Sequence, residues 1–282
     1  MARERVQPSP PWGRGWPAAG VFFSRGGPGE GVAAPLPNAM LCRVEQFGRV
    51  DYTGALNLQR QRVAARKAGE IPDTLLLLEH PHVYTLGRNA KKENLLVNAE
   101  QLAARGAQVF EIDRGGDVTY HGPGQLVGYP IFDLSQHRRD IAWYVRSLEE
   151  VLIGVAGEYG IQAGRLAGAP GVWVGNDKLA ALGVHISRWV TSHGFAFNVS
   201  TDLRYFDWIV PCGLRDKGVT SLQKLLGRRV EIDEVAAKTV GRFGRVFGLE
   251  MVEQVEIRDS SLDKQPELRR RVSIAETPRH QR

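Results

Sequence analysis

A chain of 282 residues with 43% hydrophobic content can hold one large or two small domains around a real core, and no stretch is apolar enough for a helical membrane span of about 18 residues. The formal charge of +6 sits mainly at the ends: residues 1–39 carry four Arg against two Glu and residues 259–282 six Lys or Arg against four acids. The tails so contribute +4 and the body is close to neutral. That distribution argues against a nucleic-acid surface, and two cysteines, Cys42 and Cys212, argue against a disulfide framework and for a reducing compartment.

Residues 1–39 are Gly, Pro, Ala and Arg without a sustained period, and are expected to be a disordered extension. Their start holds no apolar core of a secretory signal, and Glu4, Glu30 and the many Pro and Gly disfavour a transit peptide, so a cytoplasmic location is expected. Met40 opens a strand through Phe47. Asp51 to Lys67 has the spacing of an amphipathic helix ending near Gly69, and Thr74 to Glu79 is an apolar run between Pro72 and Pro81 that suits a buried strand. Val109–Ile112 and Leu126–Phe132 read as strands flanking a glycine-rich loop, and Ile141 to Tyr159 as a helix capped by Asp140. Val172–Val174, Leu179–Ile186 and His193–Asn198 predict an antiparallel meander. A short helix from Thr220, a longer one over Asp233–Phe247 and a strand at Glu250–Val255 follow. The reading is an α+β single domain over residues 40–258, a mixed and largely antiparallel sheet packed by helices, with a disordered charged tail over 259–282.

Arg114-Gly115-Gly116-Asp117-Val118-Thr119-Tyr120-His121-Gly122-Pro123-Gly124-Gln125 places four glycines and a proline in twelve residues. Such a backbone can come close to a ligand, with Arg114, Tyr120 and His121 adding polar groups, and a bulged hairpin is the competing reading. It is neither a P-loop nor a dinucleotide fingerprint. Cys212 lies in the turn Val210-Pro211-Cys212-Gly213-Leu214, and Lys178 is 34 residues upstream. A thiol of pKa near 8.5 and an amine near 10.4 become a nucleophile and a proton relay when each stabilises the other's charged form.

Together with Gly128-Tyr129-Pro130, Lys178 to His185, Gly194-Phe195-Ala196-Phe197-Asn198 and Pro211-Cys212-Gly213-Leu214, the glycine-rich segment resembles the lipoyl(octanoyl) transferase family. Leu78-Glu79-His80-Pro81 and Val83 to Arg88 join the resemblance, which spans Met40 to Leu249. It implies a biotin/lipoate protein ligase-like catalytic fold. It also implies octanoyl transfer from acyl carrier protein to a lysine on the lipoyl domains of 2-oxoacid dehydrogenases and the glycine cleavage H protein. No cofactor, nucleic acid or membrane is implied. Family roles fall on Cys212, which becomes an acyl-thioester, and on Lys178, which lowers its pKa. Substrate contacts fall on Arg114, Gly115, Gly116, Asp117, Val118, Thr119, Tyr120, His121, Ala181, Leu182, Gly183, Gly194, Phe195 and Ala196. Oxyanion donors are expected from the N–H groups near Leu182 and Gly183, with the His121 side chain as a further candidate.

Seven histidines show no zinc-ligand spacing, and no metal is expected. His185 and His193 read as core or lining residues, and Trp173, Trp189 and Trp208 as core or pocket walls. Three other functions compete: an ATP-dependent lipoate or biotin ligase, a cysteine hydrolase pairing Cys212 with His121 or His185, and a basic adaptor acting through its tails.

Overall fold

The computed structural model describes residues 40–210 and 217–253. The two expected tails, 1–39 and 259–282, and the Cys212 turn lie outside the described residues. The chain begins with β1 (Met40–Arg49), followed by α1 (Tyr52–Ala68). Asp51 caps α1 by accepting from the Gly54 N–H, and Gly69 ends it at φ 75, a left-handed conformation that costs glycine little. In β2 (Asp73–Glu79), Leu75 and Leu77 enter one hydrophobic cluster while Leu76 and Leu78 enter another. Alternation along a strand buried on both faces produces that division.

Next come β3 (Val83–Leu86), α2 (Ala99–Ala103), β4 (Gln108–Glu111), β5 (Val118–His121) and β6 (Gln125–Ile131). Then follow α3 (Ile141–Glu158), β7 (Gly164–Leu166), β8 (Ala169–Val174), β9 (Asp177–Ser187) and β10 (Val190–Asn198). The last elements are β11 (Gly218–Val219), α4 (Leu222–Leu226), α5 (Ile232–Phe247) and β12 (Leu249–Glu253).

The main sheet has the order β12-β1-β2-β6-β10-β9-β8-β7, with β11 added parallel to β9. Strand β1 pairs parallel with β12 and β2, and every step from β2 to β7 is antiparallel. The expected mixed, largely antiparallel α+β sheet is therefore what forms. One face packs α3 and α5, whose Leu148, Val151, Val235 and Phe243 meet Phe195 and Phe197. The other face receives α1, whose Ala55 meets Leu76, Val127 and Ala196.

The glycine-rich stretch differs from the single loop expected. Its middle is β5, which pairs antiparallel with β3 while β4 pairs parallel on the other edge, making a separate three-stranded sheet. β4 and β6 therefore do not form a hairpin, and residues 112–117 cross over the mouth of the main sheet instead.

Candidate active site

On the α1 face, β9 and β10 run side by side with Ala181 opposite Ala196 and Gly183 opposite Gly194. Four small residues leave a shallow floor on the sheet. The crossing segment lies over it: Gly115 N–H donates to the Val184 carbonyl at 3.0 Å, and a Cβ on Gly183 would stand 2.9 Å from Arg114 Cδ. Glycine at 183 is what allows this approach. Between floor and cover lies a small cavity of about 50 Å³.

Of the expected contacts, Arg114, Gly116, Asp117, Val118, Thr119, His121, Ala181, Leu182, Gly183, Gly194, Phe195 and Ala196 line this cavity, and so does Lys178. Phe195 is buried in the core on the opposite face and Leu182 packs against it, so both present main chain to the cavity. Gly115 anchors the cover through Val184. Tyr120 is turned away, its ring stacked on Tyr205 at 5.0 Å and its hydroxyl 2.8 Å from His82 Nδ1. Cys212 lies outside the described residues. Three further lining residues, Tyr52, Tyr129 and His193, were not among the expected contacts.

Lys178 is buried, with Nζ 4.7 Å from the centre of the Trp173 ring. An ammonium over an indole face is held there by the ring quadrupole. Arg114 is also buried: its guanidinium donates to the Thr85 carbonyl at 2.7 Å, to Thr85 Oγ1 at 2.9 Å and to the Gly115 carbonyl at 3.0 Å. These bonds stiffen the cover. Asp117 serves the same end, its carboxylate accepting from the N–H groups of Lys91 and Val118 and from Asn94 Nδ2.

The His121 tautomer follows from two carbonyls that can only accept. Thr220 O takes Asn198 Nδ2, which turns Asn198 Oδ1 toward Gln125; Tyr120 O and Asn198 Oδ1 then take Gln125 Nε2. Gln125 Oε1 is left facing His121 Nδ1 at 2.9 Å, so that nitrogen carries the proton. Burial holds the His121 pKa well below its ordinary value, with His80 nearby acting in the same direction. Neutral and donating to Gln125, the ring has only a lone pair at Nε2, which corrects the expectation that it is an oxyanion donor.

Main-chain geometry favours Leu182 over Gly183 for that task. Because the Val184 carbonyl leaves β9 toward Gly115, the period of two sends the Leu182 N–H out of the same edge, while the groups of Gly183 point to β10. β8 pairs with β9 only as far as Ala180, so that edge is open at Leu182.

Residues 51–244 match the model of the lipoyl protein ligase A/B catalytic domain. The chain belongs to that family. An octanoyltransferase of Solibacter usitatus is 57% identical over 211 residues, covering 75% of this chain and 95% of the relative. One of Caldicellulosiruptor saccharolyticus is 52% identical over 223 residues, again 75% and 95%. The chain is an enzyme, an acyltransferase. Among solved structures, lipoate-protein ligase A bound with ATP superposes with a TM-score of 0.63 at 18% identity, covering 76% of this chain and 89% of that one. The putative lipoate protein ligase Ta0514 of T. acidophilum with bound lipoic acid gives 0.62 at 18%, covering 76% and 89%. The fold expectation, a ligase-like catalytic domain, holds in this family. Among the described residues, no helix is long and apolar enough to cross a membrane.

Proposed function

We propose that this family member transfers an octanoyl group from acyl carrier protein to a lysine on lipoyl domains of 2-oxoacid dehydrogenases and the glycine cleavage H protein. Cys212 is the nucleophile and Lys178 its proton partner. The observation that carries the reading is a lysine buried on a tryptophan at one end of a cavity floored by Ala181, Gly183, Gly194 and Ala196. It is joined by more than half identity to octanoyltransferases along nearly their whole length.

Cys212 thiolate attacks the thioester carbonyl, and the oxyanion is held by the Leu182 N–H, a contribution of about 3 kcal/mol for such a donor. The carbon–sulfur bond to the carrier breaks, the carrier thiolate takes the Lys178 proton and leaves as the thiol, and the octanoyl group stays on Cys212. The acceptor amine then attacks this second thioester, Lys178 takes its proton, and an amide forms as Cys212 thiolate departs. No cofactor and no ATP enter, because the thioester is already activated. The small floor residues leave an apolar slot for the acyl tail, at about 0.8 kcal/mol per buried methylene. We assign this activity to residues 40–258, with residues 1–39 and 259–282 outside it, and place it in the cytoplasm, where a free thiol stays reduced.

Intact-mass spectrometry after incubation with octanoyl-acyl carrier protein, without ATP or acceptor, tests the reading. A thiol-labile octanoyl adduct is expected, absent from Cys212→Ser and chased onto an added lipoyl domain. Modification of the lipoyl domain only with ATP and free octanoate, and no adduct, overturns it in favour of a ligase.

A further inference from the structure

A second cavity, of about 360 Å³, lies between α1 and the β9–β10 hairpin, with Leu56, Val63 and Val190 among its apolar walls. Among the described residues, His193 alone lines both this cavity and the one over Gly183 and Gly194. Its imidazole is therefore a partition between two voids.

The partition is held from three sides. His193 has φ 54, an uncommon conformation for a non-glycine residue and one that persists only where its surroundings impose it. Its N–H donates to Gln59 Oε1 of α1 at 2.8 Å, and its Nε2 lies 2.9 Å from Asp113 Oδ1 in the cover. The opposite residue across β6 is Pro130, which has no N–H to offer a ladder bond, and this frees His193 to turn. The imidazole is thus fixed across the gap.

The other walls at this end back onto packed side chains. The Tyr52 ring lies 5.2 Å from His80 and 4.9 Å from Phe110, and Tyr129 bonds His80 through its hydroxyl. Past His193 the second cavity begins. The Leu182 N–H assigned to the oxyanion leaves the outer edge of β9, whereas His193 stands on β10 opposite Val184, so the ring lies across the floor from the reacting carbonyl.

We propose that the His193 imidazole is the end wall of the acyl slot and sets the longest acyl chain the enzyme transfers. The proposal rests on the acyl-transfer reading above. A chain longer than octanoyl meets the ring edge. Without the ring, its terminal methylenes pass between Leu56, Val63 and Val190, each methylene that finds apolar surroundings raising the specificity constant about fourfold.

The test compares kcat/KM for octanoyl-, decanoyl- and dodecanoyl-acyl carrier protein in the wild type, His193→Gly and His193→Gly with Val63→Phe. Glycine suits the left-handed backbone and leaves the Gln59 bond in place. Asp113, 57% exposed, stays solvated. The dodecanoyl-to-octanoyl ratio is expected to rise about tenfold or more in His193→Gly. It should fall back when Val63→Phe refills the second cavity. If His193→Gly does not fold, His193→Asn, which also tolerates this backbone, is expected to raise the ratio less. An unmoved ratio in a folded variant, or an equal fall at every chain length, overturns the end wall while transfer by the wild type stands. A wild type that transfers from none of the three thioesters overturns the transferase reading and the end wall with it.

Discussion

Thr220 donates its main-chain N–H to the Lys178 carbonyl at 3.0 Å, and Val219 pairs in register with Lys178. The strand that follows residues 211–216 is laid along the residue proposed as the proton partner of Cys212. Asn198 Nδ2 holds the carbonyl of Thr220, the residue after β11, at 3.0 Å, so the end of that strand is tied through Gln125 to the His121 ring. Lys178 thereby has its main chain set by β11 and its ammonium set by Trp173.

Replacing Lys178 by Met keeps the stem over Trp173 and removes the charge. Turnover is expected to fall by about 10²–10⁴, the usual worth of a positioned acid–base group. The rate of Cys212 alkylation should also shift toward the profile of an ordinary thiol of pKa near 8.5. Cys42 does not interfere: it is fully buried, and burial, with Asp73 nearby, pushes its thiol pKa far up. An alkylation profile that matches the wild type removes Lys178 from thiolate activation.

Glycines 183 and 194 face each other but respond differently to a methyl group. A Cβ at Gly194 would overlap the Gly128 carbonyl and Pro130, which are backbone and ring and cannot yield. At Gly183 the neighbours are Arg114 Cδ at 2.9 Å and the Gly115 carbonyl at 3.0 Å, both in the cover. Gly194→Ala is therefore expected to cost about 1–3 kcal/mol of stability by overpacking. Gly183→Ala should displace the cover, raise KM and cost less stability than Gly194→Ala. Equal loss of stability in both variants contradicts this distinction.

The elements legible in the sequence were those with length and punctuation. α1 had an apolar period between Asp51 and Gly69, and β2 an unbroken leucine run, so local pattern and tertiary burial agreed. β3 and β5 have four residues each and β7 three, too short for a period to stand out, and β5 was concealed among glycines. Lining residues in the quoted motifs were found through the resemblance. Tyr52, at the first turn of a helix, reads as core, and the Asp113–His193 bond joins residues 80 apart with no local signal. Side-chain direction was also out of reach: strand alternation separates Tyr120 from His121, but which of them faces the cavity depends on the second sheet.

Far from the cavity, Asp73 is a buried hub. Oδ1 accepts from Arg66 Nε at 2.8 Å and from the Asp133 N–H at 2.9 Å, and Oδ2 lies 2.5 Å from His137 Nε2. Asp73→Ala removes the nearest carboxylate of the buried Arg66, leaving it Gln136 Oε1 at 2.8 Å and Asp133 at 3.8 Å, and is expected to cost about 3 kcal/mol in urea unfolding. Asp202→Ala removes the partner of Arg204, a side chain 86% exposed, and is expected to cost at most about 1 kcal/mol. Similar midpoints for the two variants contradict the ranking.

His80 couples this fold to acid. Its Nδ1 lies 2.8 Å from the Val50 carbonyl and so donates, leaving Nε2 to accept from the Tyr129 hydroxyl at 2.7 Å. Burial pushes its pKa down to about 4, against partial opposition from the Val50 hydrogen bond. With a folded pKa below the unfolded value of about 6.5, the unfolded chain takes up the proton first as pH falls. Stability from this residue is complete above about pH 6.5 and is lost progressively toward pH 4, by up to about 3 kcal/mol. His121, also buried and held neutral, adds a loss of the same sign. Urea unfolding near pH 7 and near pH 5 should show the wild type losing stability, and His80→Gln losing about 2 kcal/mol less over that interval, whatever its starting value. An identical pH dependence in the two proteins shows that His80 is not the titrating group.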